Sequence, residues 1–279
     1  MVVSMDFKNA EIAINVSLLF NGPPLFIFGA NSIGKSEMLK SCSKSFRHAF
    51  YTGGMDYGGL QELFPKMASG EIKTFVLSDM QSVISRRKVR DSTLGAISSL
   101  STEGLANSAT FQAMRGGWAG LNKKTHINFI IGGTENHVGH LVSLGDFDFM
   151  SRFIFINVTR EKDDYTPDKF KLETEMTRKY DHNKYKNYIE LKFPDFNQRQ
   201  NQYTNSFVRG LLALGVDVTE FIEQCKSSMV LFNRVTNIYG VDIKSNFISF
   251  GDALKKCVEL NTGEKNDAEV EVRQGLPSS

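Results

Sequence analysis

Two glycines, a lysine and a serine at fixed spacing are the residues of this chain best suited to bind phosphate groups. They lie in residues 29–36, which read Gly-Ala-Asn-Ser-Ile-Gly-Lys-Ser and follow the apolar run 25–28. A phosphate chain is wrapped by backbone N–H groups, and glycine is needed where a Cβ would block the approach. The helix expected to start near Gly34 adds unpaired N–H donors and a partial positive charge. The spacing therefore predicts a phosphate site between a strand and a helix.

The spacing matches the P-loop pattern G-x-x-x-x-G-K-[ST], in which each residue has a role. Lys35 is expected to reach the β- and γ-phosphates of ATP, and the Ser36 hydroxyl is expected to bind Mg²⁺. A chance match is the alternative, but the position between an apolar strand and a helix argues against it. ATP and Mg²⁺ are thus the expected ligands, with contacts from Gly29, Ala30, Asn31, Ser32, Ile33, Gly34, Lys35, Ser36 and Glu37.

Composition sets wider limits on function. The formal net charge of +2 in 279 residues gives no global electrostatic case for nucleic acid, so such a contact must be local. Three cysteines lie far apart without a CxxC pair, which indicates neither a zinc site nor a disulfide framework. No signal peptide and no apolar stretch of about 18 residues is present. We therefore expect a cytoplasmic protein without membrane contact.

Two later segments can supply groups at the γ-phosphate. Residues 73–79 form an apolar strand that ends in Asp79, a Walker B pattern that places a carboxylate beside magnesium-bound water. A plain strand-end cap is the alternative role of Asp79. Residues 127–136 form another strand that runs into a polar turn, where Thr134 or Asn136 can hold the attacking water.

An arginine and a glycine-rich segment suggest contacts beyond one subunit. Arg152 precedes the apolar strand 153–158, and there it can be presented to the ATP of a neighbouring subunit. An ion pair with Asp146 or Asp148 is its alternative role. Residues 107–126 predict a hairpin, and its aromatic and basic side chains can stack on a base and neutralise phosphates, namely Trp118, Lys123 and Lys124. Packing of the tryptophan on its own domain is equally compatible with the sequence.

The order of these motifs resembles that of the AAA+ ATPases, which carry Walker A, Walker B, sensor 1 and an arginine finger. Asp79 lies 44 residues after Lys35, Thr134 lies 55 residues after Asp79, and Arg152 follows 18 residues later. The hairpin resembles the one by which helicase-type AAA+ proteins grip DNA. The segment 149–156, FMSRFIFI, is similar to one in replicative helicases of the minichromosome maintenance type and in phage or plasmid ATPases. The resemblance covers about residues 20–160.

The resemblance implies an α/β P-loop NTPase with a parallel sheet flanked by helices and a small C-terminal helical lid or winged-helix domain. Met80 stands where AAA+ ATPases usually carry a catalytic glutamate, so Glu135 is our first candidate for that role and Glu103 the second. In a lid, Arg209 would return to the nucleotide as sensor 2, with Arg199 as the second candidate. Core packing and surface ion pairs are the alternative for both arginines.

The expected organisation has four parts. Residues 1–160 form the ATPase domain, 161–195 a charged linker or helix, 196–262 the lid or winged helix, and 263–279 a disordered tail. The tail lacks any apolar pattern.

Three functions compete on these residues. The first is an oligomeric ATPase, in a ring or filament, that acts on DNA as a helicase-like motor, loader or packaging factor. The second is an ATP-dependent switch or scaffold that hydrolyses slowly and recruits a protein partner, which Met80 favours. The third is a small-molecule kinase, whose lid would carry clustered arginines. The basic cluster 86–90 is the only such cluster, and it also suits a solvated helix end or a subunit contact.

Overall fold

The computed structural model describes most of the proposed ATPase domain and part of the C-terminal region. The described residues are 2–20, 22–44, 46–85, 87–102, 126–145, 147–159, 188–194, 197–224, 226–227 and 250–262. The predicted hairpin with Trp118, Lys123 and Lys124 lies outside them, as do Glu103, the tail and most of the linker.

Seven short strands form one sheet in the described part of the chain. They are β1 (Val2–Met5), β2 (Leu25–Phe28), β3 (Ala49–Thr52), β4 (Thr74–Leu77), β5 (Asn128–Gly132), β6 (Ile154–Val158) and β7 (Lys226–Ser227). Their order across the sheet is β3-β4-β5-β2-β6-β1-β7. The first six are parallel, and the two-residue β7 pairs antiparallel with β1. The predicted α/β architecture with a parallel sheet is confirmed, and β1 adds a strand that the sequence pattern did not indicate.

The helices of the described residues cover both faces of this sheet. They are α1 (Phe7–Phe20), α2 (Lys35–Lys44), α3 (Tyr57–Glu62), α4 (Phe64–Ala68), α5 (Gln81–Ile84), α6 (Arg87–Thr102), α7 (Glu135–Ser143), α8 (Phe147–Ser151), α9 (Gln198–Leu214), α10 (Val218–Gln224) and α11 (Phe250–Thr262). α3 and α4 are separate helices, because Pro65 lacks the N–H that a continuous helix would need there. None of these helices has the length and apolar character needed to cross a bilayer.

Alternation along the strands divides the core into two layers. Leu25 and Ile27 of β2 face a largely aliphatic cluster beneath α1, α2, α9, α10 and α11. Phe26 and Phe28 face a second cluster beneath α3 to α8, in which phenylalanines are frequent. Phe26 stacks on Phe155 of β6 with ring centroids 5.0 Å apart. Burial on both faces explains why β2, β4, β5 and β6 read as largely apolar runs.

The C-terminal helices share the first of these clusters. Phe207 and Leu211 of α9 and Leu254 of α11 pack in the same apolar cluster as Ile14 of α1 and Ile27 of β2. A lid or a winged helix stays a prediction, because residues 228–249 lie outside the described part of the chain.

The ends of β2, β5 and β4 are tied together by backbone bonds that continue beyond the strands. Met80 N donates to Gly132 O at 2.8 Å, and Gly133 N donates to Ile27 O at 2.8 Å. A Cβ on Gly132 would overlap the Ser78 carbonyl oxygen and lie 2.8 Å from Leu39 Cδ1. Glycine at 132 therefore permits the close approach that brings the three loops together.

We expect Gly132→Ala to lower the free energy of unfolding by about 1–3 kcal/mol, because the backbone of β4 must move to admit a methyl group. The matched control is Gly95→Ala on the exposed face of α6, where an added Cβ meets nothing within 4 Å. That control should raise the free energy of unfolding by up to about 1 kcal/mol through helix propensity. Urea unfolding followed by circular dichroism measures both, and equal midpoints for Gly132→Ala and wild type would contradict the close approach.

Candidate phosphate-binding site

Three loops meet at the carboxyl edge of the parallel sheet. Ile27 of β2 pairs with Gly132 of β5, and Leu77 of β4 pairs with Ile131 of β5, so the three strands end level with one another. The loop after β2 carries residues 29–36, the loop after β4 carries Asp79, and β5 leads to Thr134. The structure thus brings together residues 29–36, the carboxylate of Asp79 and the predicted water-holding turn.

The P-loop forms a tight turn between β2 and α2. Gly29 has a φ of +152°, and a Cβ there would lie 2.5 Å from the Val158 carbonyl oxygen. Ser32 has a φ of +58°, a left-handed conformation that costs a non-glycine residue about 1–2 kcal/mol. Because α2 begins at Lys35, the backbone N–H groups of its first turn have no partner within the helix. This geometry suits a loop that wraps an anion.

Lys35 is buried at the base of this turn. Its Nζ donates to the carbonyl oxygens of Gly29, at 3.2 Å, and Ala30. Burial lowers the pKa of Lys35, and the carboxylates of Asp79 and Glu135 act against that shift by favouring the charged form. The ammonium group therefore lies within electrostatic reach of both predicted acidic residues, and phosphate oxygens can replace its two carbonyl partners.

Ser36 and Asp79 fit a magnesium ion that is shared with phosphate. Ser36 is exposed in the first turn of α2, and the Asp79 side chain is 54% exposed. Asp79 Oδ1 accepts the N–H of Gln81 at 2.9 Å, which orients the carboxylate. One hydroxyl and one carboxylate, completed by phosphate oxygens and water, form a donor set that suits Mg²⁺. The described residues contain no group of three or more His, Cys, Asp or Glu able to hold a metal ion by themselves.

The turn after β5 starts α7 with a side-chain cap. Thr134 is the N-cap, and its Oγ1 accepts the N–H of His137 at 3.4 Å. Glu135 is half-buried and Asn136 is exposed in the first helical turn that follows. Of these residues, Glu135 is the one whose charge acts on Lys35.

His137 and Gln81 belong to the same cluster, although the sequence analysis did not select them. His137 Nδ1 accepts the Thr134 N–H at 3.2 Å, and its Nε2 lies 2.8 Å from Gln81 Oε1. Nδ1 acts as an acceptor, so the ring proton is on Nε2, which donates to Gln81. Thr134 and His137 form a capping box in the structure, but the usual sequence pattern has glutamate or glutamine at the fourth position, so no sequence signal indicated this contact.

His137 is electrically neutral in this arrangement. Burial lowers its pKa, Asp79 acts in the opposite direction, and Lys35 and His140 lower it further. Its Nδ1 lies 3.9 Å from Asp79 Oδ1, but a nitrogen that accepts a hydrogen bond carries no proton to offer the carboxylate. The contact with Asp79 is therefore not an ion pair.

Two of the three candidate arginines, Arg152 and Arg199, lie away from this cluster. Arg152 precedes β6 at the opposite, amino edge of the sheet, and its Nη1 donates to Thr102 Oγ1 and, at 3.1 Å, to Ser98 O of α6. Arg199 Nη1 donates to Ser151 Oγ at 2.8 Å, at the same edge. Asp146 and the side chain of Asp148, the alternative partners of Arg152, lie outside the described residues.

Arg209 is exposed on α9, where its charge acts on Tyr188. Among the described residues, no hydrogen bond or ion pair joins Arg209 to the P-loop. Its predicted return to the nucleotide stays a prediction.

The cap at Thr134 gives a test of the local geometry. We expect Thr134→Val to lower the free energy of unfolding by about 1 kcal/mol, since the isosteric side chain cannot accept the His137 N–H. Thr134→Ser keeps the oxygen and should unfold close to wild type. Urea unfolding of the three proteins measures the difference, and a valine variant as stable as the serine variant would show that the hydroxyl does not cap α7.

A glycine-lined turn, a buried lysine, an exposed hydroxyl and two carboxylates at one sheet edge can bind a phosphate chain together with a divalent cation. The same edge carries a neutral histidine and an exposed amide. Comparison of the chain with protein-family models, with curated proteins and with solved structures found no match.

Proposed function

We propose that the protein binds ATP with Mg²⁺ and hydrolyses it as an oligomeric AAA+-like ATPase that acts on DNA. A helicase-like motor, a loader and a packaging factor are forms of this activity. The observation that carries the proposal is the convergence of the P-loop lysine, Lys35, with Asp79 and Glu135 at the carboxyl edge of the sheet. Crevices at this edge are where open parallel sheets bind ligands.

The residues divide the work of phosphoryl transfer between them. Backbone N–H groups of residues 29–36 wrap the phosphates, and Lys35 neutralises the β- and γ-phosphates. Ser36 and Asp79 would hold Mg²⁺, which would supply positive charge against the negative charge that develops as the γ-phosphoryl group passes from ADP to water. Thr134, Asn136 and Glu135 face the side on which water attacks, with Glu135 as the acceptor of its proton.

The burial of position 80, directly after Asp79, is our reason for assigning the role of proton acceptor to another residue. The Met80 side chain is fully buried among the phenylalanines of the second core cluster. A glutamate in this direction would be desolvated and could not meet water. Glu135, half-buried at the next strand end, supports hydrolysis through a displaced carboxylate.

The position of Arg152 supports an oligomer. The residue lies before β6 and Gly29 lies after β2, and the register of these parallel strands separates them by roughly 20 Å. An arginine side chain does not span that distance to reach the phosphates of its own subunit. As an arginine finger, Arg152 would have to reach the nucleotide of a neighbour, and a homo-oligomer follows.

DNA as the substrate is supported by the sequence of the predicted hairpin with Trp118, Lys123 and Lys124 and by the AAA+ resemblance. The hairpin follows α6 in the chain, and Arg152 bonds the last turn of α6 at Thr102. A movement of Arg152 on contact with nucleotide would thus shift Thr102, which directly precedes the segment that contains the predicted hairpin.

An ATP-dependent switch or scaffold that recruits a protein partner is the second candidate. The buried Met80 favours it, because the chain lacks an acid beside Asp79 that could accelerate hydrolysis. Such a protein would bind ATP at the same site and release it slowly.

The first experiment measures nucleotide binding by fluorescence and steady-state ATP hydrolysis, with and without single- and double-stranded DNA. We expect Lys35→Ala to lose at least 90% of the hydrolysis and to weaken ATP binding at least tenfold, since the phosphates lose their buried cation. Lys44→Ala, at the exposed end of the same helix, is the matched control and should match wild type.

Arg152→Ala tests the contact between subunits. The variant should bind ATP normally and lose hydrolysis. Mixing it with Lys35→Ala subunits should restore part of the rate, because the intact nucleotide site of one subunit then meets the intact Arg152 of the other.

Tight ATP binding by the wild-type protein, with a near-zero rate of hydrolysis that no DNA changes, would favour the switch. A protein that binds no nucleotide would refute both functions.

A further inference from the structure

Gln81 is the exposed polar side chain next to the Walker B carboxylate. Met80 points into the core, so Gln81 is the first residue after Asp79 that faces solvent. Its N–H donates to Asp79 Oδ1 at 2.9 Å. This bond fixes the start of α5 directly beside the carboxylate expected at the magnesium ion.

His137 fixes the orientation of the Gln81 amide. The imidazole accepts from Thr134 N–H through Nδ1 and donates through Nε2 to Gln81 Oε1. Because the histidine presents a donor, Gln81 must turn its oxygen toward the ring and its NH₂ group away. Within the described part of the chain, no acceptor is bonded to that NH₂ group.

The nitrogen and the oxygen of the Gln81 amide can therefore each form further hydrogen bonds. The NH₂ group offers two donors, and Oε1 has a second lone pair beside the one that His137 occupies. An amide with both can bind a γ-phosphate oxygen and an attacking water at the same time, which is how glutamine serves some P-loop NTPases. His137, which follows the next strand of the sheet, fixes the Gln81 amide through one hydrogen bond. The NH₂ hydrogens and the second lone pair of Oε1 stay available for other partners.

We propose that Gln81, held by His137, orients the water that attacks the γ-phosphate in place of the glutamate missing at position 80. The inference rests on the proposed ATP hydrolysis and names a catalytic residue and a positioning residue for it. A lone pair of the water oxygen forms the new bond to γ-phosphorus, and the bridging P–O bond breaks with its electrons going to ADP. Glu135 takes the water proton and later passes it to solvent, which leaves ADP, phosphate and a proton.

Gln81 and Glu135 have complementary tasks in this scheme. An amide cannot accept a proton at neutral pH, so Gln81 orients water without acting as its base. Glu135 lies in the first turn of the helix that follows the next strand, α7. A water that Gln81 has already aligned requires of Glu135 only that it accept the proton.

The test compares full-length wild type, Gln81→Ala and the matched control Gln202→Ala, which changes an exposed glutamine on α9. Calorimetry or fluorescence gives the affinity for ADP, for a non-hydrolysable ATP analogue and for ADP–aluminium fluoride, which mimics the transferring phosphoryl group with its water. We expect Gln81→Ala to bind the first two within twofold of wild type and ADP–aluminium fluoride at least tenfold more weakly. Its kcat should fall 10- to 100-fold with KM unchanged.

His137→Phe separates positioning from general support of the fold. It fills the buried site but offers no hydrogen bond, so it should weaken ADP–aluminium fluoride as Gln81→Ala does. The double variant should lose no more than either single change, because both act through the same amide. Additive losses would assign His137 a separate, structural effect and overturn its part in the proposal.

Two results would overturn the inference in different ways. If wild type binds ADP and ADP–aluminium fluoride and Gln81→Ala binds both equally well, Gln81 does not contact the attacking water, while the ATPase proposal stands. If wild type binds none of the nucleotides, the proposed function fails and the role of Gln81 fails with it.

Discussion

The contact of the β4 extension with Gly132 is the constraint on which the rest of the site depends. It allows Met80 N to bond Gly132 O, and with the bond from Gly133 N to Ile27 O it carries the sheet ladder beyond the strands. The three loops therefore leave a rigid edge in fixed register. Side chains on such an edge are held more exactly than those on free loops, which is what phosphoryl transfer requires.

The same packing decides which side chains are available for chemistry. The sheet is covered on both faces, and Met80, immediately after Asp79, is buried in the second core cluster. A carboxylate at position 80 would have to be desolvated in a phenylalanine-rich layer. The polar groups near the expected γ-phosphate thus come from residues that follow a strand end and turn outward, which are Asp79, Gln81, Thr134 and Glu135.

Local patterns were enough to predict much of this architecture. The apolar runs that became β2, β4, β5 and β6 are nearly continuous because both of their faces are buried, and the P-loop residues are contiguous. The strand β1 was missed because Ser4 interrupts its apolar residues, whereas β2, which is equally short, is a continuous apolar run. His137 and Gln81 were missed because they are 56 residues apart and meet only through the order of the strands. Arg152 was selected, but its bond to Ser98, 54 residues away, carries no local signal.

In the proposed mechanism, the side chain of Arg152 connects the nucleotide of a neighbouring subunit with the end of α6. Its Nη1 bonds Ser98 O and Thr102 Oγ1 at the end of α6, across the sheet from the P-loop of its own subunit. The guanidinium is one rigid plane with donors on three nitrogens, so a neighbour's phosphates that bound one of the other nitrogens would pull on the two bonds made by Nη1. In the proposed oligomer, the nucleotide held by one subunit therefore bears on the last turn of α6 in the next. Because residues 103–125 follow that turn directly in the sequence, the segment that we propose contacts DNA would receive the signal first.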